Sequence, residues 1–108
     1  KGKFYGIAVR VPTITGSLTD FVFHLEKNTT AEAVNKIFKE ADKGSLKGVL
    51  GVSNEPIVQA DIIGDSHSSI VDLSLTTVKG KNLLKVFAWY DNEWGYTNRL
   101  VEEVIARN

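Results

Sequence analysis

The residues best equipped for chemistry in this 108-residue chain are gathered in one short stretch, WYDNEWGY at positions 89–96. Aromatic residues make up only 9% of the chain, yet two Trp and two Tyr stand in this stretch. The side-chain amide of Asn92 can both donate to and accept from a planar carboxamide ligand. Tyr90 and Tyr96 can wall a pocket with apolar rings and keep a hydroxyl available. A capped helix with aromatic core anchors fits the same residues, so the pattern leaves both interpretations open.

The elements on either side of this stretch define how it is positioned. The strand pattern LLKVFAWY precedes it, and apolar residues at helical spacing follow it. Asp91 or Asn92 can cap the start of that final helix. The junction then places backbone N–H donors and a positive helix end beside whatever Asp91, Asn92 and Glu93 face. The apolar stripe of the helix consists of Leu100, Val101, Val104 and Ile105.

Arg10 is a second candidate for ligand binding. It lies in IAVRVPT, where Ile7, Val9 and Val11 alternate as one face of a predicted strand and Arg10 falls on the other face. A guanidinium fork matches the oxygens of a phosphate or carboxylate in a bidentate manner. From the pattern alone, an Arg on the surface of a strand is the favoured interpretation.

The remaining reactive side chains give weaker signals. His24 and His67 are far apart and lack the spacing of metal ligands. His67 lies among Ser and Asp residues, which favours a hydrogen-bonded turn over a nucleophile–base cluster. The chain has no Cys, and its formal net charge is zero. We therefore expect no nucleic-acid partner, no membrane partner and no metal site.

The order of the predicted elements gives the fold class. Residues 28–44 form the strongest helix, with a capping box of Thr29 and Glu32 and with Gly44 at a left-handed C-cap. FVFHL, GVLGV, IVQADII, SSIVDLSLTTV and LLKVFAWY are predicted strands, with VKGKN as a hairpin turn. Successive strands without intervening helices favour an α+β fold. We expect a mostly antiparallel sheet with helices packed on one face.

Several of these motifs together resemble a known family. RVPT at 10–13, LKGVLG at 46–51, HSS at 67–69, WYDNEWGY at 89–96 and NR at 98–99 are similar to the C-terminal part of glyceraldehyde-3-phosphate dehydrogenase, closest to bacterial-type members. The motifs follow the family's order and spacing over essentially the whole chain. WYDNE-x-GY is the most specific of them.

The resemblance implies an NAD-dependent phosphorylating aldehyde dehydrogenase of glycolysis, usually a cytoplasmic homotetramer. It implies glyceraldehyde 3-phosphate and inorganic phosphate as substrates and a catalytic domain with a large antiparallel sheet. Arg10 would bind phosphate, and Asn92 with Tyr96 would contact the nicotinamide. Tyr90 and Glu93 would line the pocket.

The departures from the family set limits on this expectation. A nucleophilic Cys is absent, His24 and His67 do not match the family's catalytic His, and no Rossmann GxGxxG fingerprint is present. Residues 1–108 are therefore expected to be a partial catalytic domain, without the Rossmann domain and inactive alone. Erythrose-4-phosphate dehydrogenase is the alternative activity, because DNEWG also resembles that branch, although Tyr90 fits the glycolytic enzyme better.

A non-catalytic module is the alternative from another class. KVFAWY loosely resembles the aromatic strand of proteins that stack single-stranded RNA bases, but it lacks that motif's Gly. A domain that works only through association, by way of exposed apolar surface, is the other form of this alternative.

Overall fold

The computed structural model describes residues 2–107. Its elements follow the chain as β1 (Ser17–His24), α1 (Ala31–Lys43), β2 (Leu50–Ser53), α2 (Gln59–Ile62), β3 (Ser69–Lys79), β4 (Leu83–Tyr90) and α3 (Trp94–Ala106). The strands form one sheet in the order β1-β4-β3-β2. β4 is antiparallel to both β1 and β3, whereas β2 is parallel to β3. The predicted α+β class with a mostly antiparallel sheet is confirmed.

The core lies between α1 and one face of the sheet. Alternate residues of β3 and β4 point to this face, as the period of two in a strand requires. Val34 and Phe38 of α1 pack on them. The helix also donates from Asn35 Nδ2 to the carbonyl oxygen of Leu73 at 2.9 Å, which fixes it on β3. The buried members of this cluster are Val34, Val71, Leu73, Leu84, Val86 and Ala88.

The caps of α1 differ from the predicted ones. The N-cap is Thr30, whose hydroxyl accepts from the backbone N–H of Ala33, so the predicted capping box on Thr29 is wrong by one residue. The Thr29 backbone N–H is already used by the carbonyl oxygen of Lys81. Gly44 follows the helix with φ −114°, outside the left-handed region predicted for it.

The hairpin between β3 and β4 is confirmed. Lys79 pairs with Leu83, so residues 80–82 form the connecting loop. Gly80 and Lys81 in this loop have φ values of 55° and 74°, and positive φ values are common in tight hairpin connections. The turn places the start of β4 beside the end of β1, because Asn82 Nδ2 donates to the carbonyl oxygen of Leu25 at 3.0 Å.

The segment IVQADII, predicted as a strand, instead contains the short helix α2. Asp61 Oδ2 accepts from the backbone N–H of Val58 at 2.8 Å, which favours a helical turn over an extended chain. Ile62 is 1% exposed and lies against Gly16 just before β1. Gln59 Nε2 donates to the carbonyl oxygen of Thr15. α2 therefore fixes the entry to β1.

The N-terminal arm, residues 2–14, forms neither strand nor helix, so the predicted strand at residues 7–11 is wrong in this structure. Ile7, Val9 and Val11 are 76%, 77% and 61% exposed. Alternation gives a strand only where a neighbouring strand supplies backbone partners. No such neighbour pairs with the arm within residues 2–107.

Candidate functional site

A cavity of about 310 Å³ opens where β4 ends and α3 begins. It lies at the junction that the sequence singled out. Three connections meet there: the segment before β1, the loop before β3 and the turn from β4 into α3. The lining residues are Ser68, Tyr90, Asp91, Asn92, Tyr96 and Arg99.

Asp91 holds the β4–α3 turn in place. Its Oδ1 accepts from the backbone N–H groups of Glu93 at 2.9 Å and Trp94 at 2.8 Å. Its Oδ2 accepts from the backbone N–H of Gly64 at 2.9 Å, in the loop after α2. The side chain is buried. These donors, first Gly64 and then Trp94, hold the pKa of Asp91 below its usual value. Asp91 is therefore a charged carboxylate at neutral pH and caps α3.

α3 begins at Trp94, later than the predicted start at Asp91 or Asn92. Glu93 is the N-cap by backbone geometry and makes no side-chain cap hydrogen bond. The capping function is nevertheless performed by Asp91, because its carboxylate satisfies the N–H of the cap residue and of the first helical residue.

Asn92 is oriented by the segment before β1. Its Oδ1 accepts from the backbone N–H of Gly16 at 2.9 Å and from the hydroxyl of Ser17 at 3.4 Å. A backbone N–H can only donate, so the atom facing Gly16 must be the amide carbonyl oxygen. Within residues 2–107, Asn92 Nδ2 donates to no protein atom. Its two N–H groups remain available to a ligand.

Tyr90 and Tyr96 form the aromatic part of the cavity. Tyr90 is the last residue of β4 and is half-buried. Tyr96 lies in the first turn of α3 and is 68% exposed. Apolar rings with polar tips at a solvent-open cavity suit a flat heteroaromatic ligand.

The structure thus brings Tyr90, Asn92 and Tyr96 together at one cavity. Glu93 is adjacent to them but does not line the cavity, and its main chain is used within the turn and α3. Arg10 is exposed in the N-terminal arm and is not among the cavity residues. The ligand roles of these residues remain predictions.

The sequence analysis does not place Ser68 or Arg99 at the cavity, and it does not predict that Gly16 orients Asn92. Gly16 orients Asn92 from 76 positions away, and such a pairing leaves no local pattern. Ser68 and Arg99 did carry a signal, because HSS and NR are among the motifs that resemble the family.

His67 forms a hydrogen-bonded turn. Its Nδ1 lies 2.7 Å from Oδ1 of Asp65, and its backbone N–H donates to the same oxygen at 2.8 Å. This geometry agrees with the turn interpretation. Between residues 2 and 107, no group of three or more His, Asp or Glu side chains is placed to hold a metal ion.

The comparisons with known proteins identify the family of the chain. The family model for the C-terminal domain of glyceraldehyde 3-phosphate dehydrogenase matches residues 1–92. The chain belongs to this family. The match therefore spans the sheet, the segment before β1 that orients Asn92, and Asn92 itself.

Curated relatives of the chain carry the name glyceraldehyde-3-phosphate dehydrogenase. The chain is 52% identical over 108 residues to glyceraldehyde-3-phosphate dehydrogenase 2 of Trichormus variabilis, covering 98% of this chain and 32% of the relative. It is 51% identical over 109 residues to the chloroplastic glyceraldehyde-3-phosphate dehydrogenase A of Chlamydomonas reinhardtii, covering 99% and 29%. It is 50% identical over 103 residues to the enzyme of Zymomonas mobilis, covering 94% and 31%.

The chain spans about a third of the length of the curated relatives it matches. Across residues 2–107, no helix has the length and apolar character needed to cross a membrane.

Proposed function

We propose that this chain supplies the nicotinamide-facing wall of an NAD-dependent phosphorylating glyceraldehyde-3-phosphate dehydrogenase. In that enzyme, glyceraldehyde 3-phosphate and inorganic phosphate are the substrates. Bound NAD supplies the hydride acceptor. The residues of this chain bind and orient, and the reacting nucleophile comes from elsewhere, because the chain has no Cys.

The observation that carries the proposal is the orientation of Asn92. Its carbonyl oxygen accepts from the Gly16 N–H, so Asn92 offers its free amide N–H groups as donors at the cavity. The carboxamide of nicotinamide offers a carbonyl oxygen that accepts such a bond. Tyr96, beside it, adds a ring edge and a hydroxyl to the same wall. One donor at a fixed position would select a single orientation of the nicotinamide ring.

Arg10 has the chemistry for the phosphate role. Its guanidinium is exposed, and it forms no ion pair with another residue between positions 2 and 107. A guanidinium remains charged at any physiological pH, so it can bind a phosphate bidentately. We propose that the N-terminal arm is ordered by the remainder of the full-length enzyme, where Arg10 contacts the substrate phosphates.

The proposal extends to the oligomeric state and the cellular compartment of the enzyme. The full-length protein would be a cytoplasmic homo-oligomer, a tetramer as the family resemblance implies. The chain on its own would not turn over substrate, and it would not bind NAD tightly.

Replacing Asn92 with Ala in the full-length protein tests the nicotinamide contact. We expect NADH to bind about tenfold more weakly, the factor to which about 1.4 kcal/mol corresponds. The loss arises because the hydrogen bond from Asn92 to the carboxamide is removed. The dissociation constant, measured by NADH fluorescence, is the readout.

Asn98→Ala is the matched control. Asn98 is also an Asn of the same segment, but its Nδ2 donates to the Trp94 carbonyl oxygen within α3 and does not reach the cavity. Equal NADH affinity in the Asn92→Ala variant and the parent protein would remove Asn92 from the cofactor site. Equal losses in both Asn variants would point to a disturbed helix rather than a lost contact.

A further inference from the structure

α3 is attached to the rest of the fold in an unusual way. Its apolar stripe of Leu100, Val101, Val104 and Ile105 is 51%, 52%, 55% and 68% exposed, so apolar burial does not hold the helix. Gly95 is its buried residue. A Cβ on Gly95 would lie 2.6 Å from the carbonyl oxygen of His67, which shows how closely the helix approaches the loop before β3.

Arg99 connects α3 to that same loop. Its Nη1 donates to the carbonyl oxygens of Gly48 at 3.2 Å and Ser66 at 3.3 Å. Nη1 also lies 3.4 Å from the hydroxyl oxygen of Ser68. These acceptors belong to the loop before β2 and the loop before β3. One guanidinium therefore bridges the helix and two loops.

Glu102 fixes the plane of this guanidinium. Its two carboxylate oxygens accept from Nε at 2.8 Å and from Nη2 at 2.5 Å. This bidentate pair leaves Nη1 pointing at the loops. It also neutralises the positive charge, so Arg99 is poorly suited to bind an anionic ligand directly.

We propose that Arg99 is a positioning residue that sets the separation of the two walls of the cavity. One wall is Asn92 and Tyr96 at the start of α3, and the opposite wall is Ser68. Arg99 lines the cavity and contacts Ser68 while it belongs to the helix that carries Tyr96. This positioning role rests on the proposed function, because the group that Arg99 positions is the Asn92 amide that would donate to the nicotinamide.

Arg107 provides a matched comparison within the same helix region. It also pairs with a glutamate of the same helix, because its Nε and Nη2 both lie 2.5 Å from Oε1 of Glu103. Arg107 is 79% exposed at its side chain, whereas Arg99 is 24% exposed. Among the described residues, the Arg107 side chain forms no hydrogen bond or ion pair with either loop, so its removal tests the loss of a helix ion pair alone.

The experiment compares Arg99→Met, Arg99→Lys and Arg107→Met in the full-length protein. We expect Arg99→Met to raise the dissociation constant for NADH about fivefold to tenfold, a range of about 1 to 1.4 kcal/mol. The KM for the cofactor should rise in parallel, with kcat changed less than twofold. Arg99→Lys should recover part of the affinity, since a single ammonium can reach some of the carbonyls but cannot reproduce the fork.

Hydrogen exchange of the amides in residues 94–106 gives a readout that needs no ligand. We expect these amides to exchange several-fold faster in Arg99→Met and at the parental rate in Arg107→Met. The thermal unfolding midpoint of each full-length variant shows whether that variant is folded. Should Arg99→Met fail to fold, Arg99→Lys carries the same comparison against Arg107→Met.

Three results would overturn the positioning role. They are equal hydrogen exchange in the Arg99 and Arg107 variants, full affinity in Arg99→Met, and a loss in kcat without a change in cofactor affinity. Failure of the proposed function looks different. The parent protein would then not bind NADH at all, while the exchange difference between the two Arg variants would persist.

Discussion

α1 and α3 are helices of 13 residues each, and they are held to the protein by different forces. α1 buries Val34 in the core, and Phe38 packs beside it. α3 buries only a glycine and leaves its apolar stripe exposed. Its first turns are fixed by the Asp91 carboxylate and the Arg99 guanidinium. Apolar burial is non-directional, whereas hydrogen bonds fix both distance and angle.

The difference matches what each helix does. α1 covers the sheet, and small shifts along its axis would leave most of its contacts intact. α3 carries Tyr96 next to Asn92, so its orientation decides the shape of the cavity. A polar attachment at the end nearest the cavity suits this task, because precise geometry is needed at that end only.

The largest loss of stability should come from removing the Asp91 carboxylate, which holds the start of α3 by hydrogen bonds. Asp91→Ala removes the acceptor of three backbone N–H groups and leaves them without a partner at a site that is 5% exposed. We expect the free energy of unfolding to fall by about 3 kcal/mol. Urea denaturation measures it. Asp20→Ala is the control, since Asp20 forms an exposed ion pair with Lys85 at 3.0 Å, worth about 0.5 kcal/mol.

The same carboxylate gives a pH dependence of known sign. The pKa of Asp91 in the folded protein lies below its unfolded value of about 3.9. Its contribution is fully present above the unfolded pKa and is lost as pH falls through the folded pKa. The stability difference between the parent and Asp91→Asn should therefore be constant from about pH 7 to 5 and shrink below about pH 4. A difference that grows on acidification would contradict the assignment.

A matched pair of substitutions compares the two helices directly. Val34→Ala creates space in the core and should lower the free energy of unfolding by about 2 kcal/mol. Val101→Ala, at a position 52% exposed on α3, should change it by less than about 0.5 kcal/mol. Both changes raise helix propensity equally, so that contribution cancels. The comparison fails if chemical denaturation of the chain gives equal losses for the two variants.

The sequence predicts the helix and strand content well where a local pattern is sufficient. The stripe of α1, the hairpin at Gly80 and Lys81, and the long strands β3 and β4 follow from periodicity and turn chemistry. The strand predicted for the arm is wrong because an apolar run becomes a strand only when a neighbouring strand is available, and the sequence does not record the neighbour. The strand predicted for IVQADII is wrong because the Asp61 carboxylate accepts from the backbone N–H of Val58 and favours a helical turn.

The candidate site likewise contains residues that a local motif predicts and contacts that it does not predict. Tyr90, Asn92 and Tyr96 are close in sequence, so a motif finds them together. The orientation of Asn92 depends on Gly16, and Ser68 lines the cavity from the loop before β3. These contacts arise only once α2 has fixed the entry to β1 and the loop before β3 has met α3. Spacing along the chain cannot predict them.

The smallest change in the free energy of unfolding is expected from substitutions at the N-terminus of α1. α3 takes its cap from Asp91, outside the helix and tied to another loop, whereas α1 takes its cap locally from Thr30. Thr30→Ala should therefore lower the free energy of unfolding by only about 1 kcal/mol, and Thr29→Ala should change it by less than about 0.5 kcal/mol. Urea denaturation of both variants measures the difference. A larger loss for Thr29→Ala would restore the capping box predicted from the sequence.

An NMR titration of Glu32 sharpens this last test. The pKa of Glu32 is lowered by its own backbone N–H first and by the Thr30 hydroxyl second. Removing that hydroxyl should raise the pKa of Glu32 towards its usual value, and removing the Thr29 hydroxyl should leave it unchanged. The titration needs no unfolding, so it separates a cap at Thr30 from any general weakening of α1. A shift in the Thr29 variant alone would place the cap one residue earlier and make the start of α1 independent of Thr30.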